Sequence, residues 1–202
     1  MSKQSSIIVP DGCRQVLLHA CCAPCSGAIV EWLTAHGIEP TIYYFNPNIY
    51  PREEYEIRKN ESKRHAESLG IKWIDDDWNH EEWRCAVTGL ENEPERGKRC
   101  EACFYHRLLA TARKAKELGI PFFATTLASS RWKNLDQINA AGCLAAERSN
   151  SESGLTSNSE AVSFWSQNWR KDGLQERRNE LLKEYNFYNQ TYCGCEFSIS
   201  HI

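Results

Sequence analysis

Short apolar runs alternate with amphipathic stretches along this chain, the rhythm of strands separated by helices. RQVLLHA (14–20) predicts a buried strand that enters the turn CCAPC, and SGAIVEWLTAH predicts a helix closed by Gly37. TIYYF (41–45), β-branched and aromatic, predicts the next strand, followed by the turn-rich NPNIYP. A polar helix from about Arg52 to Leu69 then leads to a short strand at IKWI. NHEEWRCAVTGLENEPERGKRC (79–100) reads as a helix and an irregular excursion. In EACFYHRLLATARKAKELG (101–119), Tyr105, Leu108, Leu109 and Ala112 recur at i, i+3, i+4 and i+7, a helix ended by Gly119. IPFFATTLA predicts a strand, and NLDQINAAGCLAAER a helix with Asn134 as N-cap and Gln137 completing a capping box. Residues 149–160 read as a mobile polar loop, before a final strand near VSFW and a charged helix over 173–184.

This alternation implies βαβ units, so the expected fold is α/β: one Rossmann-like domain over residues 1–202, a mostly parallel sheet flanked by helices. In such sheets, binding sites lie beyond the carboxyl ends of the strands. CCAPC and NPN fall there.

Composition adds bounds. The chain has 202 residues, 41% hydrophobic and 25% charged, ordinary globular values. A net charge of −3 excludes a global basic field, so a polyanion partner would need a local patch. No apolar run approaches the roughly 18 residues that span a bilayer, and no signal peptide is evident, so a cytoplasmic location is the expectation.

Ten cysteines change the picture most. Seven form three tight groups: Cys21, Cys22 and Cys25; Cys100 and Cys103; Cys193 and Cys195. Cys13, Cys85 and Cys143 stand alone and read as small buried hydrophobes. In a reducing compartment, clustered thiols read first as metal ligands or redox groups. Structural zinc closes on four ligands, whereas seven thiols exceed one such site and fall one short of two. A soft, over-subscribed donor set suits an iron–sulfur cluster, with room for a second metal. The CxxC at 100–103 opens a helix, whose positive end stabilises anionic sulfur. Cys193 and Cys195, one residue apart, suit either a strained redox disulfide or a pair of thiolate ligands.

Several blocks in order carry a family resemblance: LLHACCAPC (17–25), YYFNPNIYPREEYEIR (43–58), DWNHEEW (77–83), ERGKRCEACFYHRL (95–108), FATTLASSRWKN (123–134) and YNQTYCGCEFS (188–198). The chain resembles the QueH-type epoxyqueuosine reductases along almost its whole length. Two departures stand out: Asn189 where the family usually has Arg, and Ser130, Arg131, Trp132, Lys133 where it has an SP-x-K element.

The resemblance implies an oxidoreductase of tRNA queuosine synthesis. It would reduce epoxyqueuosine, in the wobble position of tRNA, to queuosine without cobalamin. It also implies a nucleotide-hydrolase-like fold, a 4Fe–4S cluster, an additional iron held by cysteine and aspartate, and an electron donor still to be identified. Deoxygenating an epoxide takes two electrons and two protons and releases water; a metal with an open position polarises the oxygen. Cys21, Cys22, Cys100 and Cys103 are the expected cluster ligands. Cys25, Cys193, Cys195 and Asp77 are expected around the second metal, with the last cysteine pair as the alternative redox couple. Asp75 and Asp76 are substitutes for Asp77.

His19, Tyr192 and Glu54 are candidate proton donors, although His19 also reads as a buried histidine satisfied by backbone. Asn46, Asn48, Tyr55, Arg58 and Lys133 are candidate substrate contacts. Candidates for gripping the anticodon loop are Arg107, Arg113, Lys114, Lys116, Arg131, Lys133, Arg170, Lys171, Arg177 and Arg178, with Trp132, Trp165 and Trp169 as stacking surfaces. Three other readings fit parts of the pattern. A nucleotide-activating enzyme would need SGGxDS where CCAPCSG stands. A zinc-stabilised RNA-binding module would need no chemistry. A thiol–disulfide oxidoreductase using CAPC would leave five clustered cysteines idle.

Overall fold

The computed structural model describes residues 7–76, 78–152 and 161–201. Five strands, β1 (Gln15–His19), β2 (Glu39–Tyr44), β3 (Lys72–Asp75), β4 (Phe122–Thr125) and β5 (Ser163–Phe164), form one sheet. Their order is β3-β2-β1-β4-β5 and every pairing is parallel. Among the described residues five helices connect them, α1 (Ala23–Ala35), α2 (Arg52–Ser68), α3 (His80–Ala86), α4 (Lys98–Glu117) and α5 (Leu135–Ser151), and α6 (Leu174–Glu184) follows β5. The chain is therefore α/β with helices flanking a parallel sheet.

β1 sits at the centre, and Val16, Leu17 and Leu18 are fully buried. A strand covered on both faces has no need to alternate, which is why QVLLH is a continuous apolar run. Gly142 on α5 lets that helix press on the sheet edge: a Cβ there would fall 2.4 Å from the Phe164 ring. Among the described residues, no helix is long and apolar enough to cross a membrane.

Local readings differ in two places. Asn134 caps α5 by accepting from the N–H groups of Asp136 and Gln137, as expected. Gln137 does not return the bond; its amide donates to the Arg96 carbonyl at 2.7 Å and to Glu101 at 2.8 Å, joining α5 to α4. The loop expected from residue 149 begins later, because α5 continues to Ser151; residues 153–160 lie outside the described residues.

Strand order reverses between β1 and β4. The segments that follow their paired carboxyl ends diverge there and open the crevice in which α/β proteins place their sites. The CCAPC turn leaves β1 and TTLASS leaves β4, so both line that crevice.

Candidate metal centre

Cys21 ends the turn after β1, Cys22 is the N-cap of α1, and Cys25 lies in its first turn. All three are buried, with sulfurs within 4.8 Å of one another, so this cluster can hold a metal ion. Cys21 Sγ and Cys22 Sγ are 3.7 Å apart. Thr126, just past β4, fixes Cys21 from the far side of the switch point. Its hydroxyl accepts from the Cys21 N–H at 3.2 Å and lies 3.5 Å from the sulfur. Hydrogen bonds from Cys22 and Cys25 pull the pKa of the Cys21 thiol well down, and their bonds to that sulfur push Cys22 and Cys25 up.

Cys100 and Cys103 occupy the first two turns of α4, and Cys193 and Cys195 arrive from the C-terminal segment. These four line one cavity of about 50 Å³, together with Asn48, Arg107, Trp132 and Lys133. The backbone before α4 is shaped around the first thiol. Arg96 adopts φ 66, and its N–H donates to Cys100 Sγ at 3.2 Å. Buried Arg99 holds the preceding loop by donating to the carbonyls of Glu91 and Glu93 at 2.6 and 2.5 Å. Burial pushes the Cys100 thiol up to about 11 and the Cys195 thiol up to about 12, and raises Cys103 as well. These groups therefore remain thiols at neutral pH until a metal displaces their protons.

Cationic side chains link the two sulfur groups. Lys133 is half-buried; burial opposes its charge, but Cys193, Cys21 and Cys25 outweigh that and raise its pKa. Arg107, expected on the surface as an RNA grip, is buried instead. It donates to Asn46 Oδ1, and its Nε has no hydrogen-bond partner. Arg107 shares a helix face with Cys103, Phe104 and Leu108, a signal available in the spacing.

The CGC segment is docked against α2 and the NPNIYP turn. Ile49 pairs with Cys195 in an isolated antiparallel bridge, and the Tyr50 N–H donates to the Gly194 carbonyl at 2.9 Å. Arg58, 2% exposed, forms an ion pair with Glu54 at 2.6 Å and donates to the carbonyls of Tyr192 at 3.1 Å and Cys193 at 3.3 Å. Gly194 has φ 100, and a Cβ there would sit 2.9 Å from Arg58 Nη1 and 3.0 Å from Ile49 Cγ1. Only glycine fits both the backbone and the space.

The remaining candidates separate by burial. Asn46 donates to the Ala20 carbonyl at 2.9 Å, bracing the two strand ends. Tyr55 is buried, and its hydroxyl donates to the Asp76 carbonyl at 3.4 Å. With Arg58, these two have donors engaged by protein partners. Asn48 is also buried, but it lines the cavity with Oδ1 unpartnered.

His19 is fully buried, with Nδ1 2.8 Å from Thr125 Oγ1 and Nε2 3.2 Å from the Phe45 carbonyl. Burial holds its pKa down at about 3, so the ring is neutral and both nitrogens are engaged. Glu54 accepts from Arg58 and from the Tyr188 hydroxyl at 2.8 Å. Tyr192 bonds to the Tyr50 carbonyl, and burial pushes its pKa up to about 12. Asp75 pairs with Lys59, and Asp76 accepts from the Tyr43 hydroxyl at 2.5 Å. Asp77 lies outside the described residues.

Of the expected RNA-gripping groups, Arg113, Lys114 and Arg177 are paired with Glu152, Glu117 and Glu31. Trp165 and Trp169 are buried in the core. Trp132 and Lys133 line the cavity, Arg131 lies beside them in the chain, and Arg170 bonds to the Lys133 carbonyl.

The family model described as "Epoxyqueuosine reductase QueH" matches residues 16–201. The curated Epoxyqueuosine reductase QueH of Haemophilus influenzae is 46% identical over 191 residues, covering 95% of this chain and 74% of that protein. The protein of the same name from Acinetobacter baylyi is 44% identical over 95% of this chain and 83% of its own length. That from Thermotoga maritima is 34% identical, over 91% and 90%. Clustered thiols at the switch point of a parallel sheet and these likenesses over nearly the whole chain agree, and the chain belongs to the family of QueH epoxyqueuosine reductases.

Proposed function

We propose that the chain is an oxidoreductase that reduces the epoxide of epoxyqueuosine, in the wobble position of tRNA, to the alkene of queuosine, using iron held by its clustered thiols. One observation carries this reading: cysteines from three distant segments line the crevice at the carboxyl end of the sheet, one triad within 4.8 Å and four others around a single cavity. That donor set is soft, and larger than a single zinc site requires.

In this reading Cys21 and Cys22 of the triad and Cys100 and Cys103 of the cavity would hold a 4Fe–4S cluster. Cys25, Cys193, Cys195 and Asp77 would hold a further iron ion, or Cys193 and Cys195 would cycle between dithiol and disulfide. When bound, the iron centre supplies low-potential electrons and Lewis acidity toward the epoxide oxygen. The protein's own groups do the rest. Lys133 would offset the anionic sulfur and give a proton as the C–O bond opens. Arg107 adds a second buried positive charge beside Cys103. Asn48 Oδ1 accepts a hydroxyl of the bound nucleoside. Two electrons and two protons enter, and the oxygen leaves as water.

The reading is tested by expressing the chain in a bacterial strain that accumulates epoxyqueuosine because it lacks the reductase. Queuosine in its tRNA is the expected result. Persistent epoxyqueuosine with the protein present and iron-loaded would overturn it.

A further inference from the structure

Trp132 is 78% exposed, whereas Trp165 and Trp169 are 4% and 1% exposed. It stands in the loop 130–133 that leads into α5 and forms part of the wall of the cysteine-lined cavity. That loop is pinned by two guanidinium groups. Arg96 Nε donates to the Trp132 carbonyl at 2.8 Å, and Arg170 Nη2 to the Lys133 carbonyl at 2.9 Å. The Trp132 N–H adds a bond to Ser130 Oγ at 3.4 Å. A large indole held in a fixed frame yet left in water forgoes the burial that would stabilise it, which points to a partner that covers it.

The charges around it are unpaired. Among the described residues, no carboxylate forms an ion pair with Arg96, Arg131, Lys133 or Arg170, although acids claim Arg113, Lys114 and Arg177 elsewhere. Arg170 Nε is buried without a hydrogen-bond partner. Burial and the neighbouring Arg96 charge hold the pKa of Arg170 below the ordinary arginine value, as expected where like charges await an anion.

We infer that Trp132 is a stacking platform for an unpaired RNA base next to the reacting nucleotide, with the adjoining phosphates taken by Arg96, Arg131 and Arg170. The inference rests on the tRNA reading above and deepens it. A nucleotide that presents its modified base at the mouth of the cavity must leave the anticodon-loop stack, and its neighbour loses a stacking partner. The indole restores that face, and the guanidinium groups neutralise the backbone that turns past it.

The test measures binding of the full chain to a fluorescein-labelled anticodon stem-loop and to a fully paired hairpin of equal length, by anisotropy across a salt series. Trp132→Ala should weaken stem-loop binding about 5- to 150-fold, the range for one lost base stack. Trp132→Phe should retain most of the affinity, and hairpin binding should change little. Arg131→Ala should lower the salt slope by about one. Stem-loop affinity of Trp132→Ala within about twofold of the parent would overturn the inference while leaving the tRNA reading intact, even if reduction by a protein electron donor slowed. A parent chain that prefers neither RNA and leaves epoxyqueuosine unreduced would overturn both.

Discussion

The Arg58 guanidinium donates to the Cys193 carbonyl across 3.3 Å, joining α2 to a segment 135 positions later in the chain. The same group is neutralised by Glu54, so a buried ion pair fixes where the CGC thiols stand. Replacing Arg58 by Met leaves Glu54 buried without its partner. The expected cost is about 3–5 kcal/mol of stability, read from urea unfolding, with faster thiol modification at Cys193 and Cys195. Adding Glu54→Leu should recover part of that stability, because the uncompensated carboxylate is then gone.

Gly194→Ala tests the close approach by itself. The new Cβ meets Arg58 and Ile49 at a positive φ, so the segment must lift. We expect a loss of about 1–3 kcal/mol. Helix content by circular dichroism should stay unchanged while Cys193 becomes more reactive; equal reactivity would contradict the docking role assigned to this glycine.

Metal retention should divide the cysteines. Cys100→Ser should abolish the visible iron–sulfur absorption after anaerobic reconstitution, and Cys21→Ser should do the same. Of the isolated cysteines only Cys13 is buried as expected; Cys85 and Cys143 are exposed and stand outside the cavity, so serine at either should leave iron and sulfide content unchanged. Zinc as the sole bound metal, without acid-labile sulfide, would favour a structural centre instead.

Strand positions were legible because apolar runs such as QVLLH need only local burial to be recognised. The helix α4 was legible from its period, and its N-terminal CxxC from the motif. Which sulfurs share a cavity was not legible, since that depends on strand order and on where the C-terminal segment crosses α2. The same limit hid the roles of Asn46, Tyr55 and Arg58. Their residue types suit RNA contact, but the fold turns them inward, where carbonyls of the first strand turn, of Asp76 after β3 and of the CGC segment accept their bonds. Arg107 is the sharper lesson: a basic residue on an apolar helix face beside Cys103 is turned inward, against Asn46 and the cysteine cavity.

Acid should destabilise the metal-free chain. Burial lowers the pKa of His19 to about 3 and lowers those of His65 and His106. Each binds its proton more readily when unfolded, so the stability they contribute is present above the unfolded value near 6.5 and is lost as pH falls below it. His19 alone gives a slope of about 1.4 kcal/mol per pH unit across that window. Urea midpoints at pH 7.5 and 5.5 measure the effect, and His65→Phe should reduce it; pH-independent midpoints would contradict it.

The most direct measurement is the mass of the wobble nucleoside in epoxyqueuosine-containing tRNA treated with the anaerobically reconstituted chain and a strong reductant. Loss of one oxygen atom, absent when Cys100→Ser replaces the parent, is the predicted result. An unchanged nucleoside mass with a fully iron-loaded protein would contradict the account.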